Sequence, residues 1–170
     1  MHGTLSISLL PRLITLFGLG RRNPGGEPNF RETLRGSEAW RTKAITIFGY
    51  KKDGMDEQVY HDYVSKNHAG HLKTLLAQHD IVSYTMQYNT LESRKLLEAI
   101  QPGLPAEKEA DCDTVVRIVF KDIQDYLRVR QDPHWVQVVN PDHHNFADGK
   151  RTKFVTGWYE VHVADGRVVP

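Results

Sequence analysis

"AITIFGYKKDGMDEQVYHDYV", residues 44–64, decides how this chain folds. Its first seven residues are mostly β-branched or aromatic, and the Asp-Gly pair in "KKDGM" marks a turn, so a strand ends there. From Asp56 the period changes. Val59, Tyr63 and Val64 fall at helical spacing, with Asp56 placed to cap the helix and Glu57 in its first turn. Strand, turn and amphipathic helix make the first half of a βαβ unit.

The alternation continues downstream. A helix break is expected near "NHAG" (67–70), after which Leu72, Leu75, Leu76 and His79 follow at three- and four-residue steps. "IVSYTMQYN" (81–89) reads as a second strand, with Val82, Tyr84, Met86 and Tyr88 on one face. "LESRKLLEAI" (91–100) is a short helix, and "CDTVVRIVF" (112–120) a third strand. Ile123, Tyr126, Leu127 and Arg130 outline another helix; Pro133 opens a further turn that Asn140-Pro141 should end. "NPDHHNFADGKR" (140–151) then reads as a polar loop before the fourth strand, "TKFVTGWYEVHV" (152–163). The fold class is α+β: a ferredoxin-like, four-stranded antiparallel sheet with helices on one face. Strand residues on both faces are large and apolar, so the uncovered face should close on a second copy as a dimeric α+β barrel.

With 170 residues there is room for one ordinary domain, and 22 basic against 21 acidic residues leave a formal charge of +1. That balance gives no electrostatic footprint for nucleic acid or an anionic membrane. The single cysteine, Cys112, reads as a packed small hydrophobe. Residues 1–43 differ from the rest. "MHGTLSISLLPRLITLFGLGRR" is apolar, hydroxyl-rich and basic, and Pro11 and Arg12 interrupt it. It fits neither a secretory signal nor a membrane-spanning helix. An organellar transit peptide, an amphipathic membrane-touching segment and a non-functional extension stay open. The division is therefore an extension (1–43), a folded domain (44–166) and a tail (167–170). The expected location is cytoplasmic, without stable membrane insertion.

"GYKKDGMDEQVYHDYVSKNHAGHL", "IVSYTMQYNT", "DPHWVQVVNPDHHNFAD" and "FVTGWYEV", taken in order, resemble an EthD domain, specifically the fungal polyketide-tailoring members. The resemblance covers about residues 44–166. It implies a dimeric α+β barrel with a pocket between sheet and helices. It further implies a cofactor-free lyase, a dehydratase or decarboxylase of polycyclic polyketides. Family members commonly place a proline two residues after the first-helix histidine; this chain has His68-Ala69-Gly70.

The candidate site residues are chosen by chemistry and spacing. On an unbroken helix His61, His68 and His71 would share one side, which invites a metal, but no Cys or His-Glu-x-x-His pattern completes a ligand set. No metal is expected. His68, beside the expected break, is the candidate for proton transfer, against a histidine that merely caps the helix. Asp142 is placed to orient His143, with His144 facing water. Phe48 with Tyr50, Tyr84 with Tyr88, and Phe154 with Trp158 each share a strand face and would form an aromatic trough or simply the core; Tyr60 and Tyr63 would add hydroxyls. Arg117, mid-strand among apolar residues, would bind a substrate oxygen or pair with Glu160. Catalytic roles thus fall on His68, His143 and Asp142, and substrate binding on Tyr50, Tyr63, Tyr84, Arg117 and Trp158.

No phosphate loop, dinucleotide fingerprint or nucleophile elbow is present, which favours proton transfer; the resemblance implies an aromatic polyketide as the molecule it acts on. "DHHNFADGKR" resembles the dehydratase-type members more than the decarboxylases, so dehydration to an aromatised product leads. Decarboxylation of a polyketide acid and non-catalytic polyketide binding are the alternatives.

Overall fold

The computed structural model describes residues 42–169, so the expectations for the amino-terminal extension fall almost wholly outside the described residues. β1 (Thr42–Gly49) and β3 (Thr114–Phe120) form the centre of a sheet whose edges are β2 (Ser83–Tyr88) and β4 (Lys153–Tyr159). The order β2-β3-β1-β4 is antiparallel throughout, the ferredoxin-like arrangement. The two central strands are the most β-branched, as a strand flanked on both sides favours.

Register assigns the faces. Ile45 opposite Ile118 and Ile47 opposite Val116, with Tyr84 and Met86 continuing both rows, put these side chains on one face. The helices cover that face: Leu72, Leu75, Leu76, Tyr126, Val129, Trp135 and Val139 pack with Ile118 and Phe120 into the main core. Each fully buried aliphatic or aromatic side chain there contributes about 1.5–3 kcal/mol. The opposite face carries Ala44 beside Val119, Thr46 beside Arg117, and Phe48 beside Val115.

The helices are α1 (Glu57–Asp62), α2 (Ala69–Gln78), α3 (Leu91–Ile100), α4 (Ile123–Gln131) and α5 (Asn140–Phe146). Asp56 caps α1 as expected, accepting from the Gln58 and Val59 amides. Two departures from the sequence reading concern the site directly. First, there is no break at 67–70. Residues Tyr63–His68 form a π-helical segment that joins α1 to α2 in one rod, with the Ala69 amide donating to the Val64 carbonyl. Second, 140–146 is helix rather than loop. The π-helical segment Trp135–Val139 runs into α5, and the Asn140 amide reaches back to the Trp135 carbonyl. Pro141 has no N–H and its ring crowds the carbonyl four residues earlier, so a widened turn just before it lets the helix continue.

The fourth strand also ends earlier than expected, at Tyr159. Beyond it β5 (Val163–Ala164) and β6 (Arg167–Val168) make a small hairpin. Its turn residues Asp165 and Gly166 both have positive φ, 49° and 73°, as a type I′ turn requires. Among the described residues no helix is long and apolar enough to cross a membrane.

Candidate active site

The π-helical turn sets the position of every histidine on the first rod. A five-residue backbone step inserts about one residue relative to an α-turn and rotates the downstream residues by about 100°. His61 and His68 therefore do not share a side. His61 stacks edge-on against Tyr88 at 4.3 Å, and His71 lies exposed on the outer surface. His68 is buried beneath them, facing the sheet. No group of three or more His, Cys, Asp or Glu side chains among the described residues is placed to hold a metal ion.

α5 supplies the partner of His68. Asp142 Oδ2 lies 2.9 Å from His68 Nδ1, and both side chains are buried. Asp142 Oδ1 accepts from the Tyr63 hydroxyl at 2.5 Å and from the Asn145 amide at 2.9 Å. The Asn145 amide also reaches the Tyr63 oxygen at 2.9 Å. The expected pairing of Asp142 with His143 is thus replaced. Adjacent residues on a helix point about 100° apart, and His143 Nδ1 instead meets its own Asn140 carbonyl at 3.1 Å. His143 nonetheless joins the group, its ring edge-on to His68 at 4.6 Å. Phe146, one turn from Asp142, packs on His68 at 4.7 Å. His144 is exposed, as expected.

Electrostatics assign the protonation states. Burial lowers the His68 pKa below its ordinary value of 6.5; the Asp142 hydrogen bond pulls upward, and the neighbouring His143 again downward. Burial alone would raise Asp142, but hydrogen bonds from Tyr63, Asn145 and His68 hold its carboxyl below the usual range. At neutral pH the pair is therefore a neutral imidazole and a carboxylate. Nδ1 carries the proton and donates it to Asp142. His68 Nε2 keeps its lone pair, with no hydrogen-bond partner among the described residues.

Beside His68 lies a cavity of ≈ 80 Å³ between sheet and helices. Ile47, Met86, Val116, Trp135 and Phe146 line it, together with Tyr84, His143, Tyr60 from α1 and Thr114 from the start of β3. Several expected binding residues stand elsewhere. Tyr50 falls one residue past the end of β1, where its hydroxyl donates to Asp111 at 2.7 Å and Arg151 covers its ring at 4.1 Å. Arg117 projects from the opposite face of the sheet, near Thr46 Oγ1 at 3.4 Å and over the Tyr159 ring at 5.3 Å. It does not pair with Glu160, which lies 3.5 Å from His162. Phe154 and Trp158 do share the helix-side face, opposite Ile47 and Lys43, but β4 is an edge that the helices do not cover. The aromatic trough therefore contracts to Tyr84, Tyr60, Trp135 and Phe146. Cys112 is buried, and burial pushes its thiol up, as packing rather than reactivity requires.

Trp135 and Asn145 are residues beside His68 and Asp142 that the sequence reading does not single out. Asn145 lies three residues after Asp142, the spacing at which helical neighbours meet, and only the expectation of a loop conceals it.

An EthD domain model matches residues 52–150. The chain is 42% identical over 127 residues to Dehydratase aurZ of Gibberella zeae, spanning 74% of this chain and 82% of that one. It is 37% identical to the Conidial pigment biosynthesis dehydratase EthD of Metarhizium robertsii, over 74% of this chain and 88% of that one. Decarboxylase nsrE of Aspergillus novofumigatus is 36% identical over 137 residues, 80% of this chain and 89% of that one.

Proposed function

The chain belongs to the EthD domain family, and from that premise we propose that it is a cofactor-independent lyase, a dehydratase of an aromatic polyketide intermediate. The observation that carries this reading is the buried His68–Asp142 pair, with a neutral imidazole nitrogen presented to an apolar cavity.

Dehydration of a β-hydroxyketone begins with removal of a proton next to the carbonyl. His68 Nε2 takes that proton, and the ionised Asp142 stabilises the imidazolium that forms. The electrons of the broken C–H bond form the new C=C bond as the C–O bond breaks. The same Nε2–H proton passes to the departing hydroxide, water leaves, and His68 is neutral again. The driving force is the aromatic ring gained by the product. His143 sets its ring edge-on against His68 and lines the same cavity. Tyr63 acts through Asp142 as a positioning residue, and Tyr84 lines the cavity beside Met86. A bicyclic ligand needs more than the present cavity, since ligand pockets run to about 300–1,000 Å³; Met86 is the most adaptable wall residue.

Decarboxylation is the second reading, favoured by the similarity to Decarboxylase nsrE. It asks first for an acid that polarises a ketone, whereas His68 at rest is a base. The apolar side chains on the sheet's opposite face, Phe48, Val115 and Val155, support pairing with a second copy. Sedimentation should give the mass of two chains, and a single-chain mass would exclude the barrel.

The function is tested by incubating the purified protein with polycyclic β-hydroxyketone and β-ketoacid intermediates and following mass. Loss of water is expected. Loss of carbon dioxide would transfer the assignment to the second reading, and neither loss would leave a binding protein.

A further inference from the structure

The cavity contains polar atoms that the proton-transfer chemistry does not use. The Tyr60 hydroxyl and Thr114 Oγ1 lie 2.9 Å apart, and their residues are only 3% and 2% exposed. Two hydroxyls bring two protons, and one of them is spent in the bond between the pair. The other has no acceptor among the described residues, because neither oxygen has any further hydrogen-bond partner. The hydroxyl that bears it has lost its hydration without a second contact in return. Each oxygen is satisfied at one contact, and the pair keeps a single proton to give to a bound acceptor.

Gly49 shows that the space around the pair is built rather than incidental. It faces Thr114 across β1 and β3, and a Cβ there would sit 2.5 Å from Thr114 Oγ1 and 3.6 Å from the Tyr60 hydroxyl. Gly49, Tyr60 and Thr114 line the same cavity as His68. Tyr60, Val64 and His68 succeed one another at four-residue steps along one rod and all face it, so Tyr60 and His68 are separated by roughly 12 Å of helix. We propose that the Tyr60–Thr114 hydroxyl pair is a second polar anchor, donating its spare proton to a carbonyl or enolate oxygen at the end of the ligand remote from His68. Burial pushes the Tyr60 phenol up to about 12, so at neutral pH it can donate a hydrogen bond but cannot act as a base. The anchor thus selects a ligand with oxygen at both ends of a flat ring system and fixes which carbon faces Nε2.

The proposal rests on the reading of this cavity as the ligand site, but its test requires no turnover. 1-Tetralone carries one carbonyl on a bicycle, and tetralin is the same bicycle without oxygen. Binding of each to the full-length protein is measured by calorimetry, and the ketone C=O stretch is recorded by infrared spectroscopy in the complex. The wild type should prefer the ketone by about fivefold, the worth of one neutral hydrogen bond, with the stretch shifted to lower frequency. Tyr60→Phe and Thr114→Val each leave one hydroxyl with a proton to give, so each should keep most of the preference. The double variant should lose the preference and the shift. His68→Ala should retain both, which separates this anchor from the proton-transfer role. An unchanged preference in a double variant that melts like the wild type would overturn the proposal, and so would equal or undetectable binding of ketone and hydrocarbon by the wild type.

Discussion

Among the described residues two histidine–aspartate pairs meet at hydrogen-bonding distance. His68 and Asp142 meet at 2.9 Å, and on the outer surface His79 and Asp132 meet at 3.0 Å. Their settings differ. The first pair is 6% and 8% exposed and borders the cavity, while the second is 21% and 25% exposed. Near the second, His134 is engaged with the His71 carbonyl at 3.0 Å rather than presenting a free nitrogen to an enclosed space. An imidazole–carboxylate contact is thus not in itself a site. What separates the two is burial, which lowers the proton affinity of His68, and the apolar cavity that His68 borders.

The largest effect should come from removing the imidazoles in turn. His68→Ala should lower kcat by about 10²–10⁴, the usual worth of a positioned acid–base group, while His79→Ala stays close to wild type. Steady-state turnover of the β-hydroxyketone substrate reads both, and equal losses would erase the distinction. Next come the carboxylates. Asp142→Asn preserves shape but loses the charge that stabilises the imidazolium, and should cost kcat roughly 10²-fold and stability about 1–3 kcal/mol. Asp132→Asn should leave kcat and the melting temperature near their wild-type values.

The pH dependence sharpens the contrast further. His68 has a folded pKa below its unfolded 6.5, so the unfolded chain binds the extra proton first as pH falls. Stability from this group is complete above 6.5 and is lost as pH drops from there through the folded pKa. Asp142, lowered from 3.8, adds a loss of the same sign below 3.8. The rate constant kcat/KM should fall on the acid side with the folded pKa of His68, below 6.5. An acid limb centred above 6.5 would contradict the protonation states assigned here. The smallest effect is expected from Tyr63→Phe. Asp142 keeps its bonds from Asn145 and His68, so kcat should fall only about threefold to tenfold.

Much of the fold is legible in the sequence, for reasons visible in particular residues. The strand alternation of "TIFG" and "TVVRIVF" and the helical steps of Leu72, Leu75 and Leu76 are local signals, and the succession of these elements along the chain points to the ferredoxin-like sheet. His68 and Asp142 are candidates from sequence because their side-chain chemistry stands out. Their partnership is not legible there, because it joins residues 74 apart and depends on how α5 lies against the first rod. Both π-helical turns are hidden too. A single five-residue step leaves the composition unchanged, and Pro141 reads as a stop unless the turn before it has already widened. Tyr50 is misplaced for a simpler cause: the alternation carries one residue beyond the end of β1. Arg117 is drawn into the site because a mid-strand charge demands an explanation, and the sheet's opposite face supplies a different one.

The central claim is that burial beside Asp142 keeps His68 neutral with Nε2 free in the cavity. Nitrogen-15 NMR of histidine-labelled protein across a pH series tests it most directly. The spectra should show the Nδ1–H tautomer of His68, with an unprotonated Nε2 at neutral pH that titrates below 6.5. The resonances are assigned by their loss in His68→Ala. An imidazolium already present at pH 7, or the proton on Nε2, would contradict it.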